Sequence, residues 1–208
     1  TSKGWNISER YQSPDSAPSP VKGISRLPAI YELSTPSYSG RVSVPILFDT
    51  ISNTIINNES AEIIKQLDDI AVHYFAYPSL YPEDKHSKIE QIINQLENEF
   101  ISPIYRAGFA KDQQTYNSNF KQVFTYLDKL NRHLSEPGRY IAGEELTLAD
   151  VHAFPHLSRF DSVYYSLYHL NLKYLNSYRH ITAYMSRLSE VAAFTETLDI
   201  EAIKEGYF

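Results

Sequence analysis

Apolar positions in the second half of the chain recur at steps of three and four residues. Ile89, Ile92, Ile93, Leu96, Phe100 and Ile104 form one such series, and Phe120, Val123, Phe124, Leu127, Leu130 and Leu134 form another. A third runs through Ile181, Tyr184, Met185 and Leu188. That spacing places each set on one face of a helix, with polar residues opposite. Pro137-Gly138 ends the second helix, and Tyr140-Ile141-Ala142-Gly143 leads into the next. Thr147-Leu148-Ala149-Asp150 is a capping box, in which a hydroxyl and an acid three residues apart satisfy free donors at a helix start. Leu146 and Val151 are spaced to staple the same end. The helix that follows, through Phe154, Leu157 and Phe160, reads as the buried central one, with a kink at Pro155.

The first part of the chain has a different grain. Residues 1–36 show little periodicity and hold five of the eleven prolines, which predicts an extended, irregular segment with a short helix near Ser25 to Leu33. Val42 to Phe48 is apolar and β-branched enough for a strand, but Pro45 cannot donate to a ladder and confines it to an edge or a bend. Asp49 to Asn53 reads as a turn and Thr54-Ile55-Ile56 as the returning strand. Asn58-Glu59-Ser60 then opens a helix carrying Ile63, Ile64 and Leu67 on one face. A helix start presents free N–H groups and partial positive charge, which suits a carboxylate. The strand edge before Pro45 suits a peptide-like ligand, so the pair suits an extended, anionic peptide. Residues 76–86, with Pro78 and Pro82, read as a linker.

Composition narrows the function classes. The 208 residues suffice for one sizeable core or two modest domains. A formal charge of −6 without a Lys/Arg cluster argues against nucleic acid and anionic membranes as partners. No apolar run approaches the roughly 18 residues of a spanning helix, and the first residues are not a signal peptide, so a cytoplasmic protein is expected. There are 17 Tyr and 10 Phe against one Trp; tyrosines pack well and also suit a pocket for flat, oxygenated rings. No cysteine is present, which excludes disulfides, thiolate metal sites and a cysteine nucleophile within these residues. His152 and His156 lie one turn apart near Asp150, but Pro155 distorts that turn and Asp150 is committed to the cap, so no metal is expected. Asp68-Asp69 and Glu97/Glu99 read as solvated helix faces. The seven glycines do not cluster into a phosphate loop.

Val44-Pro45, a hairpin, and Glu59-Ser60 at a helix start together resemble the glutathione site of the thioredoxin-like domain of glutathione transferases. The fuller string, Tyr38-Ser39-Gly40-Arg41-Val42-Ser43-Val44-Pro45 through Asn57-Asn58-Glu59-Ser60, resembles the xi class, the glutathionyl-hydroquinone reductases. Gly4-Trp5 upstream and Arg159-Phe160-Asp161-Ser162-Val163-Tyr164 downstream fit the same branch.

The resemblance implies an α/β thioredoxin-like domain over 1–75, with a long Pro-rich insertion, then the linker and an all-α domain over 87–208. It implies a cis Val44–Pro45 bond and glutathione, a co-substrate, held by Trp5, the Val44 backbone, Glu59 and Ser60, with Arg41 a candidate for a glutathione carboxylate. Tyr105, Tyr164 and Tyr207 would line the second-substrate pocket and bond the oxygens of quinol-type small molecules. The family works through a cysteine at the start of its first helix, in a Cys-Pro-Trp/Phe-Ala motif upstream of the position of Gly4-Trp5. The expectation is therefore a chain lacking that first strand and helix, and the C-terminal tail, of an otherwise homodimeric enzyme that reduces glutathionyl-hydroquinones. A non-catalytic binder of glutathione conjugates and a general conjugating transferase are the alternatives. The chain departs from the pattern at Pro103, before Tyr105, and at Ser162, where proline is usual.

Overall fold

The computed structural model describes Ser19 and residues 21–208. The chain divides into two compact units between Pro78 and Ser79.

In the first unit, helix α1 (Leu27–Ser34) starts with Pro28 in its first turn, where a missing N–H costs nothing, and buries Leu27, Ile30 and Tyr31. Strands β1 (Leu47–Asp49) and β2 (Thr54–Asn57) form an antiparallel hairpin. The ladder is shorter than the Val42–Phe48 strand expected from composition. Pro45 offers no N–H, so pairing begins beyond it. The hairpin turn is closed by Asp49, whose carboxylate accepts from Ile51 N–H at 2.8 Å and from the Ser52 hydroxyl at 2.6 Å. Ser34, at the end of α1, accepts from Ile55 N–H at 2.8 Å and so ties the helix to β2. Helix α2 (Ser60–Phe75) follows and ends at Ala76 in the left-handed conformation.

The second unit is helical throughout. Helix α3 (His86–Leu96) runs through a wide π turn (Glu97–Ile101) into α4 (Ser102–Gly108). The periodicity from Ile89 to Ile104 thus spans two helices. The extra residue per turn in the π segment lets the apolar series continue across the break. Pro103 falls in the first turn of α4 and is buried. Helix α5 (Gln113–His133) is capped by Asp112 and buries Val123, Phe124, Leu127 and Leu130. Helix α6 (Leu148–Arg159) passes through a second π turn (Phe160–Tyr164) into the short α7 (Tyr165–Leu167). Helices α8 (Arg179–Ser189), α9 (Ala192–Glu196) and α10 (Ile200–Tyr207) complete the unit. Its core gathers Leu96, Phe100, Ile104, Leu127, Leu157, Phe160, Ile181 and Leu188, all essentially inaccessible to solvent. Each such side chain contributes roughly 1.5–3 kcal/mol by leaving water. The two π turns meet in this core, with the rings of Phe100 and Phe160 stacked at 6.1 Å. Among the described residues no helix is long and apolar enough to cross a membrane.

The capping box is present and does more than cap. The fully buried Asp150 carboxylate accepts from Thr147 N–H at 2.9 Å, the Thr147 hydroxyl at 3.1 Å, Ile141 N–H at 2.9 Å and the Tyr184 hydroxyl at 2.9 Å. Burial raises its pKa, and these four donors oppose the rise. Leu148 N–H, one residue beyond the cap, donates to Leu80 at 2.8 Å and anchors the segment before α3.

Asp150→Ala is expected to cost about 3–5 kcal/mol, because it strips several buried donors of their shared acceptor at once. Thr147→Ala is expected to cost only about 1 kcal/mol, the usual value of a cap. Urea denaturation followed by circular dichroism measures both, and equal losses would show that Asp150 does no more than cap α6.

Candidate functional site

In the first unit the expected glutathione residues lie on two neighbouring segments. The Val44–Pro45 peptide bond is cis, as the resemblance implied. Val44 is 53% exposed, unusual for a valine. Glu59 is the N-cap residue of α2 and Ser60 its first residue; both are exposed. The Glu59 side chain makes no capping bond. Glu59 N–H donates to Asn57 Oδ1 at 3.0 Å, so the backbone just before the helix is held while the first turn stays open.

Tyr31 joins these two segments, and sequence reasoning missed it. Its buried hydroxyl donates to the Ser43 carbonyl at 2.9 Å and accepts from Asn58 Nδ2 at 3.3 Å. Asn58 Nδ2 also lies 3.4 Å from Ser43 Oγ. One phenol therefore holds the residue before Val44 and the residue before Glu59 in register. The available signal was a tyrosine on the apolar face of the short helix in the Pro-rich segment. Arg41 is exposed in the same unit, and Trp5 lies outside the described residues.

In the second unit Tyr105, Tyr164 and Tyr207 come together from α4, the second π turn and α10. The Tyr105 hydroxyl is 3.2 Å from that of Tyr164 and 3.1 Å from that of Tyr207. Tyr164 is fully buried, whereas Tyr105 and Tyr207 are partly exposed. Tyr164 stacks on Tyr168 at 5.7 Å with rings 7° from parallel. Tyr168 in turn lies across Gly108: a Cβ there would run into its ring, so only glycine admits this close approach.

His156, weighed from sequence only as a metal ligand, belongs to this cluster. Its Nδ1 lies 3.3 Å from the Tyr164 hydroxyl, and its ring meets Tyr105 edge-on at 6.3 Å. Its neighbour His152 lies 3.7 Å from a Glu97 carboxylate oxygen. Among the described residues no group of three or more His, Asp or Glu side chains could hold a metal ion. Eight residues separate His156 from Tyr164, a spacing that reads as one helix face, and this signal was available in the sequence.

Burial sets the electrostatics of the cluster. It pushes Tyr105 up to about 12, helped by the bond to Tyr207 and opposed by that to Tyr164. It raises Tyr164 well above the ordinary phenol value, and the contact with Tyr105 adds to the rise. It lowers His156 to about 4, with the positive charge of Arg159 and the neighbouring His152 acting in the same sense. Near neutral pH both phenols keep their protons and the imidazole is uncharged. Such an arrangement exchanges hydrogen bonds with a neutral hydroxylated ring and can support negative charge that develops on its oxygen.

Comparison with known proteins places this fold. Residues 77–191 match the family model of the glutathione S-transferase C-terminal domain. The chain is 33% identical over 207 residues to the glutathionyl-hydroquinone reductase PcpF of Sphingobium chlorophenolicum, covering 99% of this chain and 64% of that protein. It superposes on the Xi glutathione S-transferase of Phanerochaete chrysosporium with a TM-score of 0.90 at 32% identity, covering 100% of this chain and 72% of that one. It superposes on the glutathione-bound YqjG of Escherichia coli K-12 with a TM-score of 0.89 at 28% identity, covering 99% of this chain and 66% of that one. The helical second unit, the hairpin with its cis proline and these likenesses define a glutathione transferase. Within that family the chain belongs to the xi class.

The depressed His156 value has a consequence for stability. A histidine whose folded pKa lies below its unfolded one stabilises the fold above about pH 6.5, and that contribution is lost as pH falls towards 4. The loss is about 3 kcal/mol for a shift of this size. His156→Gln is expected to flatten the decline in stability between pH 6.5 and pH 4, measured by urea denaturation at stepped pH. An unchanged slope would mean that the imidazole is not held uncharged.

Proposed function

We propose that these residues form the glutathione-binding and quinol-binding surfaces of a glutathionyl-hydroquinone reductase. The observation that carries the reading is the convergence of the Tyr105, Tyr164 and Tyr207 hydroxyls from three distant segments. The exposed Val44 beside its cis proline and the open first turn of α2 support glutathione binding. In this reading Trp5, Val44, Glu59 and Ser60 hold glutathione within residues 1–75, and the tyrosines hold the ring within residues 87–208. The complete protein acts as a cytoplasmic homodimer.

The reaction needs a thiolate. A cysteine, which these 208 residues do not contain, attacks the sulfur of the glutathionyl adduct. An S–S bond forms as the ring C–S bond breaks, and the ring takes that electron pair and a proton. A second glutathione thiolate then cleaves the mixed disulfide, releasing glutathione disulfide and the enzyme thiolate. The tyrosines orient the hydroquinone and steady charge on its oxygens. The absence of cysteine from the sequence favours a second reading for this chain as it stands: it holds glutathione conjugates without turning them over.

Two measurements test the proposal. Glutathione is expected to bind in calorimetric titration, and Ser60→Ala to weaken it about tenfold, since charge-assisted hydrogen bonds of this kind contribute about 1.5–3 kcal/mol. Unchanged affinity would remove Ser60 from the site. The 208-residue chain is expected to show no turnover of a glutathionyl-hydroquinone, whereas the protein extended by a Cys-Pro-Trp/Phe-Ala strand and helix should turn it over. Comparable turnover by the cysteine-free chain would require direct attack by a bound glutathione thiolate instead.

A further inference from the structure

Arg159 is the charged neighbour of the tyrosine cluster. It follows His156 by three residues on α6 and so shares the face from which His156 meets Tyr164. The residue is partly buried; its Nε is inaccessible to solvent and has no hydrogen-bond partner. Among the described residues its guanidinium makes neither an ion pair nor a side-chain hydrogen bond. An unpaired buried donor on a charged group is costly and calls for a cause. The helix dipole is not that cause, because α6 runs on through the π turn into α7 and does not end at Arg159.

The acids on the surrounding elements do not cancel this charge at the cluster. Asp161, two residues on, is engaged elsewhere: its carboxylate accepts from Leu175 N–H at 2.6 Å and lies 3.4 Å from Asn176 N, and its charge is felt at Tyr165. Glu97, in the first π turn, accepts from the Ser102 hydroxyl at 2.9 Å and faces His152. Asp150 lies at the other end of α6. Glu90 on α3 accepts from Tyr81, and on α10 Glu201 pairs with Lys204 while Glu205 is exposed. Helix α4 carries Arg106 and no acid. The outcome shows in the cluster itself. The positive charge of Arg159 acts to lower both Tyr105 and His156, the groups that flank Tyr164, and no carboxylate shifts His156. Tyr105 and Tyr207 are partly exposed, so the cluster meets solvent on their side.

We infer that Arg159 makes the cluster a site for an aromatic oxyanion: the ring it takes is bound as the phenolate, held by tyrosine hydroxyls and neutralised by the guanidinium. The inference rests on the cluster being the ring site, and it adds to that reading a charged residue and an ionic state. Phenols alone serve a neutral hydroxyl and an anion alike. A fixed cation in a partly buried site tips the choice, because it favours the charged form of its neighbour.

Spectrophotometric titration of the chain with 4-nitrophenol tests it, since only the phenolate of that dye is yellow. At a pH where the free dye is half ionised, the bound dye is expected to be phenolate. The anion should bind about tenfold tighter than the phenol, which is a fall of about one unit in the dye's pKa on binding. R159Q should abolish the preference, whereas R159K, which keeps the charge, should retain most of it; an arginine with a merely structural role would not show this rescue. Urea denaturation followed by circular dichroism verifies that both variants are folded under the titration conditions. Should R159Q fail to fold, the unaltered chain still decides, because dye bound as the neutral phenol overturns the inference. A phenolate preference that survives R159Q overturns it as well. Tyr105→Phe separates the two ideas. If it leaves binding of the dye unchanged, the ring-site reading of the cluster falls. If it weakens binding of a dye held as the neutral phenol, that reading stands and only the role of Arg159 falls.

Discussion

The buried carboxylate of Asp150 is the point on which the second unit depends. Its four donors come from the cap residue Thr147, from Ile141 in the preceding loop and from Tyr184 on α8. A carboxylate buried without such donors would be very costly, and donors without the carboxylate would be nearly as bad. The network therefore constrains where α6 begins, how the loop from α5 enters it and how α8 packs against it. His156 and Arg159 sit on α6, and Tyr164 follows directly. The geometry at the tyrosine end of the helix is thus set at its other end.

Between that anchor and the tyrosines lies the π turn Phe160–Tyr164. Tyr165 N–H bonds back to Phe160, five residues away, instead of four. One extra residue rotates everything beyond it by about 100° relative to a continued α-helix. Phe160 can then fill the core against Phe100 and Phe124 while Tyr164 turns its hydroxyl towards Tyr105. The matching π turn at Glu97–Ile101 stands just before α4, which carries Tyr105. Irregular turns of this kind recur at functional sites because they re-aim side chains without breaking a helix.

The regular features were legible in the sequence for plain physical reasons. Three- and four-residue periodicity marked the helices, Pro137-Gly138 the break after α5, and Thr147 with Asp150 the cap. The π turns were not legible, since a single inserted residue leaves the apolar spacing within the tolerance of an ordinary helix. Pro45 signalled a bend, but where the ladder would start depended on pairing across the hairpin. Tyr105, Tyr164 and Tyr207 could be named only through resemblance: 59 and 102 residues separate the bonded pairs, and local patterning carries no trace of that distance. Tyr31 was hidden because it looked like core, which it also is. The reach of its hydroxyl to Ser43 and Asn58 is a tertiary fact.

The cluster's hydrogen bonds can be followed proton by proton. Three phenols carry three protons, and their two mutual contacts use two. What becomes of the third depends on the contact between Tyr164 and His156 Nδ1. If Nδ1 is the unprotonated nitrogen, Tyr164 donates to it, Tyr105 donates to Tyr164 and Tyr207 donates to Tyr105. The cluster then offers only lone pairs and can accept from a neutral hydroxyl. If Nδ1 carries the hydrogen, it donates to Tyr164 and one phenolic O–H is left over for an oxygen that bears charge. The two polarities suit a neutral hydroxyl and an oxyanion respectively, and both are open because the imidazole is uncharged near neutral pH. Switching between them needs only rotation of the hydroxyls and exchange of the imidazole tautomer. Burial, which keeps His156 from taking a second proton, is what leaves both polarities open to it.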